Sequence, residues 1–183
     1  MKYVIVHLIR GEAKKFHEDI TKKLTRKFGA YPLHDRVPPH ITLKYDKKLD
    51  EKIIGKVYTY LDNFISSHNQ SNYLLSGFGH FGKDVIYVDT IPSPEMSQDV
   101  LDLMSILHKV EGFTFNKFDT PKKFHASLAR RSLKTFDYGQ IWNYLKTMPK
   151  PNFKMKFDNV ATLKKANGSD KWSIDRVWEI KEK

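Results

Sequence analysis

Two short stretches of this sequence carry residues able to move protons and grip an anion. They are Pro38-Pro39-His40-Ile41-Thr42-Leu43-Lys44-Tyr45 and Phe124-His125-Ala126-Ser127-Leu128-Ala129-Arg130. Each holds the pattern His-x-Thr/Ser-Leu, and in each apolar residues alternate with polar ones, as in a strand with one face buried. Successive side chains of a strand point to opposite faces, so His40 shares a face with Thr42, and His125 with Ser127. An imidazole beside a hydroxyl, twice over, is a phosphate-handling set of two proton-transfer groups and two neutral hydrogen-bond donors. In a chain of 183 residues with eight histidines, His-x-Thr/Ser-Leu is expected by chance only ~0.1 times. Here it occurs twice.

Composition sets the frame for this chemistry. The length and a 40% hydrophobic content allow a real core in one domain or two small lobes. The absence of cysteine excludes disulfides, thiolate metal sites and cysteine nucleophiles. No apolar run reaches membrane-spanning length, and Met1-Lys2-Tyr3-Val4-Ile5-Val6 is too short to be a secretory signal, so a soluble cytoplasmic protein with no membrane partner is expected. The net charge of +11 favours a polyanionic partner such as RNA. Its placement matters more than its size: Lys44, Lys47 and Lys48 follow the first motif, while Lys122, Lys123, Arg130, Arg131 and Lys134 bracket the second.

The elements that must position the motifs follow from periodicity. Residues 2–9 read as a strand, and 12–28 as a helix with Phe16, Ile20, Leu24 and Phe28 on one stripe and Gly29 as its stop. After the first motif strand, a helix from Asp50 buries Ile53, Ile54, Val57, Leu61, Phe64 and Ile65. Residues 72–80 and 85–91 form a hairpin around Gly82-Lys83-Asp84. The plan then repeats, with a helix over 95–110, a short strand near 113–118, the second motif strand, and a helix carrying Tyr138, Ile141, Trp142 and Leu145. A last hairpin pairs 153–163 with 171–180 through Asn167-Gly168. His125 lies 85 residues beyond His40, and the same offset carries Gly82 onto Asn167 and Asp50 onto Thr135. The chain therefore reads as one domain over 1–183 with two β-α-β-α-β units, roughly 1–85 and 86–170 plus a final strand. Those units face each other across a pseudo-two-fold axis that brings both histidines into one cleft.

These motifs resemble those of the 2H phosphoesterase superfamily, named for its two His-x-Thr/Ser-x motifs. Pro-Pro-His-Ile-Thr-Leu and the opening Met-Lys-Tyr-Val-Ile-Val resemble the bacterial and archaeal branch called RNA 2′,3′-cyclic phosphodiesterase or 2′-5′ RNA ligase. The resemblance implies an α+β fold that is bilobal, with antiparallel sheets lining a central groove and helices outside. It also implies metal-independent opening of a 2′,3′-cyclic phosphate, typically to a 2′-phosphate. Ser127 departs from the threonine of many relatives but keeps the hydroxyl.

Such a reaction needs a base for water, an acid for the departing ribose oxygen, and donors for the phosphoryl charge. The family pattern makes His40 the acid and His125 the base, with Thr42 and Ser127 as donors. Lys44, on the parity of His40, is expected to reach the groove. Arg130 has the opposite parity to His125 and is expected to be brought round by twist at the strand's end. Phe124, Tyr45 and Trp142 are candidates for stacking on a base, with a core role as the simpler alternative. His7 reads as a satisfied core residue, and His17, His34, His68, His80 and His108 as surface or loop residues. Neither motif supplies the further ligands of a zinc or two-metal site, so neither metal nor cofactor is expected.

The partner expected is an RNA or oligonucleotide with a cyclic phosphate end, bound by a monomer. Competing readings are a phosphodiesterase for 2′-5′ oligonucleotides or small cyclic nucleotides, and a non-catalytic RNA or nucleotide binder.

Overall fold

Local capping chemistry delimits most of the helices in the computed structural model, which describes residues 1–45, 49–115, 119, 123–131, 133 and 136–182. Helix α1 (Gly11–Phe28) ends at Gly29, whose φ of 65° is the left-handed cap that glycine adopts without strain; its N–H donates to the Thr25 carbonyl. The short α2 (Leu33–Arg36) lies in what the sequence reads as loop. Asp50 caps α3 (Glu51–Ser67) by accepting from the Lys52 and Ile53 amides. Ser93 caps α4 (Pro94–Leu107), and Asp137 caps α5 (Tyr138–Lys146). The last helix thus begins beyond Thr135, which lies outside the described residues.

The strands are β1 (Lys2–Leu8), β2 (His40–Tyr45), β3 (Ser71–Phe81), β4 (Val85–Pro92), β5 (His125–Arg130), β6 (Asn152–Phe157), β7 (Asn159–Lys165) and β8 (Ser173–Glu179). They make two antiparallel four-stranded sheets in the orders β2-β1-β7-β8 and β5-β4-β3-β6. The architecture is the expected α+β fold of two sheets about a groove with helices outside. Each sheet nevertheless draws strands from both halves of the chain: β3 joins the sheet of the second motif, and β7 the sheet of the first.

Two expectations are corrected here. The single strand read over 153–163 is two strands that part at Asp158, with β6 pairing to β3 and β7 to β1. A continuous alternation of side chains does not reveal which strand each segment will pair with. The short strand expected near 113–118 is absent over 113–115; its remaining residues lie outside the described set.

One continuous core runs through both lobes, joining Tyr3 and Ile5 of β1, Ile86 and Val88 of β4, and buried residues of all four long helices. The opposite face of β1 carries a smaller cluster of Val4, Val6 and Leu8, packed with Ala161 and Leu163 of β7 under Trp172 and Val37. That second face is the one His40 and Thr42 share.

Candidate active site

The motif strands are built alike. Both β2 and β5 are edge strands, they lie against one another, and they show the same order of half-buried, buried and exposed residues. Each ladder also breaks at the same place. On β2, Thr42 pairs with Val6 and Lys44 with Ile5, so Leu43 is an extra residue; on β5, Ser127 pairs with Tyr87 and Ala129 with Ile86, so Leu128 is the extra one. Such a bulge puts two consecutive residues on the core side and reverses the parity beyond them.

The bulges decide which motif residues face the groove. His40 and Thr42 lie opposite Leu8 and Val6, and His125 and Ser127 opposite Asp89 and Tyr87. Arg130 pairs with Val85, on the same face as Tyr87, so it does lie on the side of His125, carried there by the bulge rather than by twist. Tyr45 occupies the corresponding place on β2, opposite Val4, and is 46% exposed.

Lys44 corrects the sequence expectation most sharply. The bulge turns it into the core, where it is fully buried and its ammonium lies 2.6 Å from Asp119. The rings of Phe115 and Phe113 flank it, with centroids 4.6 and 5.6 Å away. It therefore does not line the groove. Phe124 is also buried in the main core, which removes it as a stacking surface, and Trp142 is half-buried against the same core. Lys47, Lys48, Lys122 and Lys134 lie outside the described residues.

The two imidazoles are held by the same device. His40 Nδ1 lies 2.8 Å from the Pro38 carbonyl and His125 Nδ1 3.0 Å from that of Lys123, in each case two residues earlier. A carbonyl only accepts, so Nδ1 carries the hydrogen in both rings. Burial pushes the His40 imidazole down to about 4, and the positive charges of His125 and Arg130 push the same way against the Pro38 carbonyl. His40 is therefore neutral at pH 7. Around His125 the setting differs: Asp89 lies opposite it in the ladder, Lys123 bonds Asp89 at 2.6 Å, and the rings of Phe81 and Tyr87 stand 4.9 and 5.2 Å away.

Sequence reasoning missed several of these neighbours. His17 is buried rather than on the surface; its Nε2–H donates to the Ser127 carbonyl at 2.9 Å, so α1 holds the second motif strand by its backbone. Burial lowers its pKa to about 4. The signal was its place among Ala13, Ile20 and Leu24 at helical spacing. His7 is the satisfied core residue expected, donating from Nδ1 to the Asn159 carbonyl and accepting the Tyr73 hydroxyl at Nε2, both at 2.9 Å. Tyr87 and Asp89, alternating with Ile86 and Val88 on β4, were legible as sharing one face of a strand.

A family model described as the 2′-5′ RNA ligase superfamily matches residues 11–169. The chain belongs to that superfamily. The solved structure of TT0787 from Thermus thermophilus is similar over 100% of this chain and 99% of its own, with a TM-score of 0.72 at 15% identity. E. coli LigT complexed with 3′-AMP has a TM-score of 0.59 at 14% identity, over 98% of this chain and 97% of that one. LigT complexed with ATP has a TM-score of 0.58 at 14% identity, over 99% and 98%. At these identities the structures show the shared fold. No curated protein sequence matches the chain. Among the described residues no helix is long and apolar enough to cross a membrane.

Proposed function

We propose that this member of a superfamily of phosphodiesterase-type enzymes opens 2′,3′-cyclic phosphate ends of RNA to 2′-phosphates, with two histidines and no metal. The carrying observation is the pair of Nδ1-anchored imidazoles, each beside a hydroxyl, on two edge strands that lie against each other. One histidine takes the proton of the attacking water at Nε2, and the other gives a proton to the departing ribose oxygen. Thr42 and Ser127 donate to the phosphoryl oxygens, where charge gathers in the transition state. Arg130, exposed on the same face, meets the phosphate as a fixed cation, and Tyr45 offers an exposed ring at the corresponding place on β2. The net charge of +11 supports a polyanionic substrate, and the 3′-AMP complex of LigT supports a nucleotide ligand.

The test is incubation with excess EDTA and an oligoribonucleotide ending in a 2′,3′-cyclic phosphate, followed by identification of the terminus. A 2′-phosphate is expected, with His40→Ala and His125→Ala each slower by about 10²–10⁴-fold. An end left closed by the wild type, with or without added metal, refutes the reading.

A further inference from the structure

We propose that His17 of α1 is a positioning residue for the second motif: by gripping the backbone of β5 at Ser127, it holds the Ser127 hydroxyl where that group donates to a phosphoryl oxygen. This inference rests on the phosphodiesterase reading above, in which Ser127 is such a donor.

The need for a grip follows from the bulge. Ser127 pairs with Tyr87 and Ala129 with Ile86, so the extra residue Leu128 comes directly after Ser127 and the ladder is broken there. In addition β5 is an edge strand, with β4 as its ladder partner. The sheet therefore holds the peptide between Ser127 and Leu128 poorly, and a shift of that peptide moves the side chain attached to it. The carbonyl of that same peptide is the atom that His17 bonds, with Nε2–H donating at 2.9 Å.

Helix α1 is a firm place to grip from. His17 stands on its buried stripe with Ala13, Ile20, Thr21 and Leu24. One turn on, the Thr21 hydroxyl donates to the His17 carbonyl at 2.9 Å. The anchor is thus fixed to the core through the helix, independently of the sheet it steadies.

The other ring nitrogen excludes a different task. With its hydrogen on Nε2, the neutral ring has a bare Nδ1, which is buried and meets no hydrogen-bond partner among the described residues. A proton placed there would be a buried donor with nothing to accept it, and a positive charge on His40 would oppose it further. His17 is accordingly neutral at pH 7 and has no route by which to pass a proton on. What it supplies is one directed hydrogen bond to the chain that carries Ser127.

The experiment measures kcat and KM on an oligoribonucleotide ending in a 2′,3′-cyclic phosphate for wild type, Ser127→Ala, His17→Met, His17→Gln and the double variant His17→Met with Ser127→Ala. Met and Gln are alike in length, but only Gln keeps a side-chain N–H to donate. Expected is a fall in kcat of about 10–100-fold in His17→Met with KM within about 3-fold of wild type, because a misplaced donor weakens the transition state more than the bound substrate. His17→Gln should stay within about 5-fold of wild type, having restored the hydrogen bond. In the Ser127→Ala background, His17→Met should cost less than about 3-fold more, since the hydroxyl it positions is gone. An undiminished kcat in His17→Met, the same loss in both backgrounds, a loss in KM alone, no recovery in His17→Gln, or losses that follow the fraction unfolded by circular dichroism each overturn the inference and leave the phosphodiesterase reading standing. Turnover by Ser127→Ala as fast as wild type removes the hydroxyl from that reading and the inference with it. A wild type that opens no cyclic end removes the whole reading.

Discussion

Strands β2 and β5 share a backbone and differ in what they touch. Each starts with a histidine anchored to the carbonyl two residues before, continues through a hydroxyl residue, and bulges at a leucine. The differences begin at the bulge. Where β5 has small Ala129 on the core side, β2 has Lys44; where β5 presents Arg130 to the groove, β2 presents Tyr45. Facing them, Leu8 of β1 stands where β4 offers Asp89. A repeated geometry places two imidazoles alike, and unlike neighbours surround them.

Lys44 should make the largest difference between the strands. Lys44→Met leaves the Asp119 carboxylate buried without its ammonium, which should cost about 3–5 kcal/mol in denaturant unfolding. Adding Asp119→Asn should recover much of that loss. Ala129→Gly at the corresponding position should cost only about 1 kcal/mol. Equal losses in the two single variants would show that the pair contributes nothing specific.

The hydroxyls test whether the shared geometry is used equally. Thr42→Val and Ser127→Ala should each slow turnover by about 10²–10³-fold. A loss confined to one of them would mean that the phosphoryl oxygens lean on one strand. Smaller effects are expected at the ends of the strands, where Arg130→Ala should weaken phosphate binding in a salt-sensitive way and Tyr45→Ala without that sensitivity. Titrations at two ionic strengths separate the two.

A last comparison concerns pH. Burial lowers the pKa of His7, His17 and His40 from 6.5 to about 4. Between those values the unfolded chain binds protons that the folded chain refuses, so stability is complete above about pH 6.5 and is lost as pH falls toward 4. Thermal melting followed across that window should show the decline, and His40→Ala should make it shallower by about one proton of three. An unchanged slope would mean that the folded protein does not lower the pKa of His40.

Much of the fold was legible because it is written locally. The apolar stripe of α1 and its Gly29 stop, the helix start at Asp50, and the hairpin at Gly82 all depend on residues within a turn or two of each other. The same holds for His40 with Thr42 and His125 with Ser127, which need only the two-residue repeat of a strand. His17 was misjudged because its partner, the Ser127 carbonyl, lies 110 residues away. Phe81 and Asp89 gain meaning only because β3, β4 and β5 are neighbours in one sheet.

By itself the sequence determined the two His-x-Thr/Ser-Leu strands, the helices around them and the charge that favours an anion. The tertiary structure decided where the ladders break, that Lys44 turns inward while Arg130 turns outward, and that the chain changes sheets at Asp158. The reason is physical. Side-chain parity along one strand is a local property, whereas a bulge and a pairing partner exist only against a neighbouring strand that the chain must return to supply.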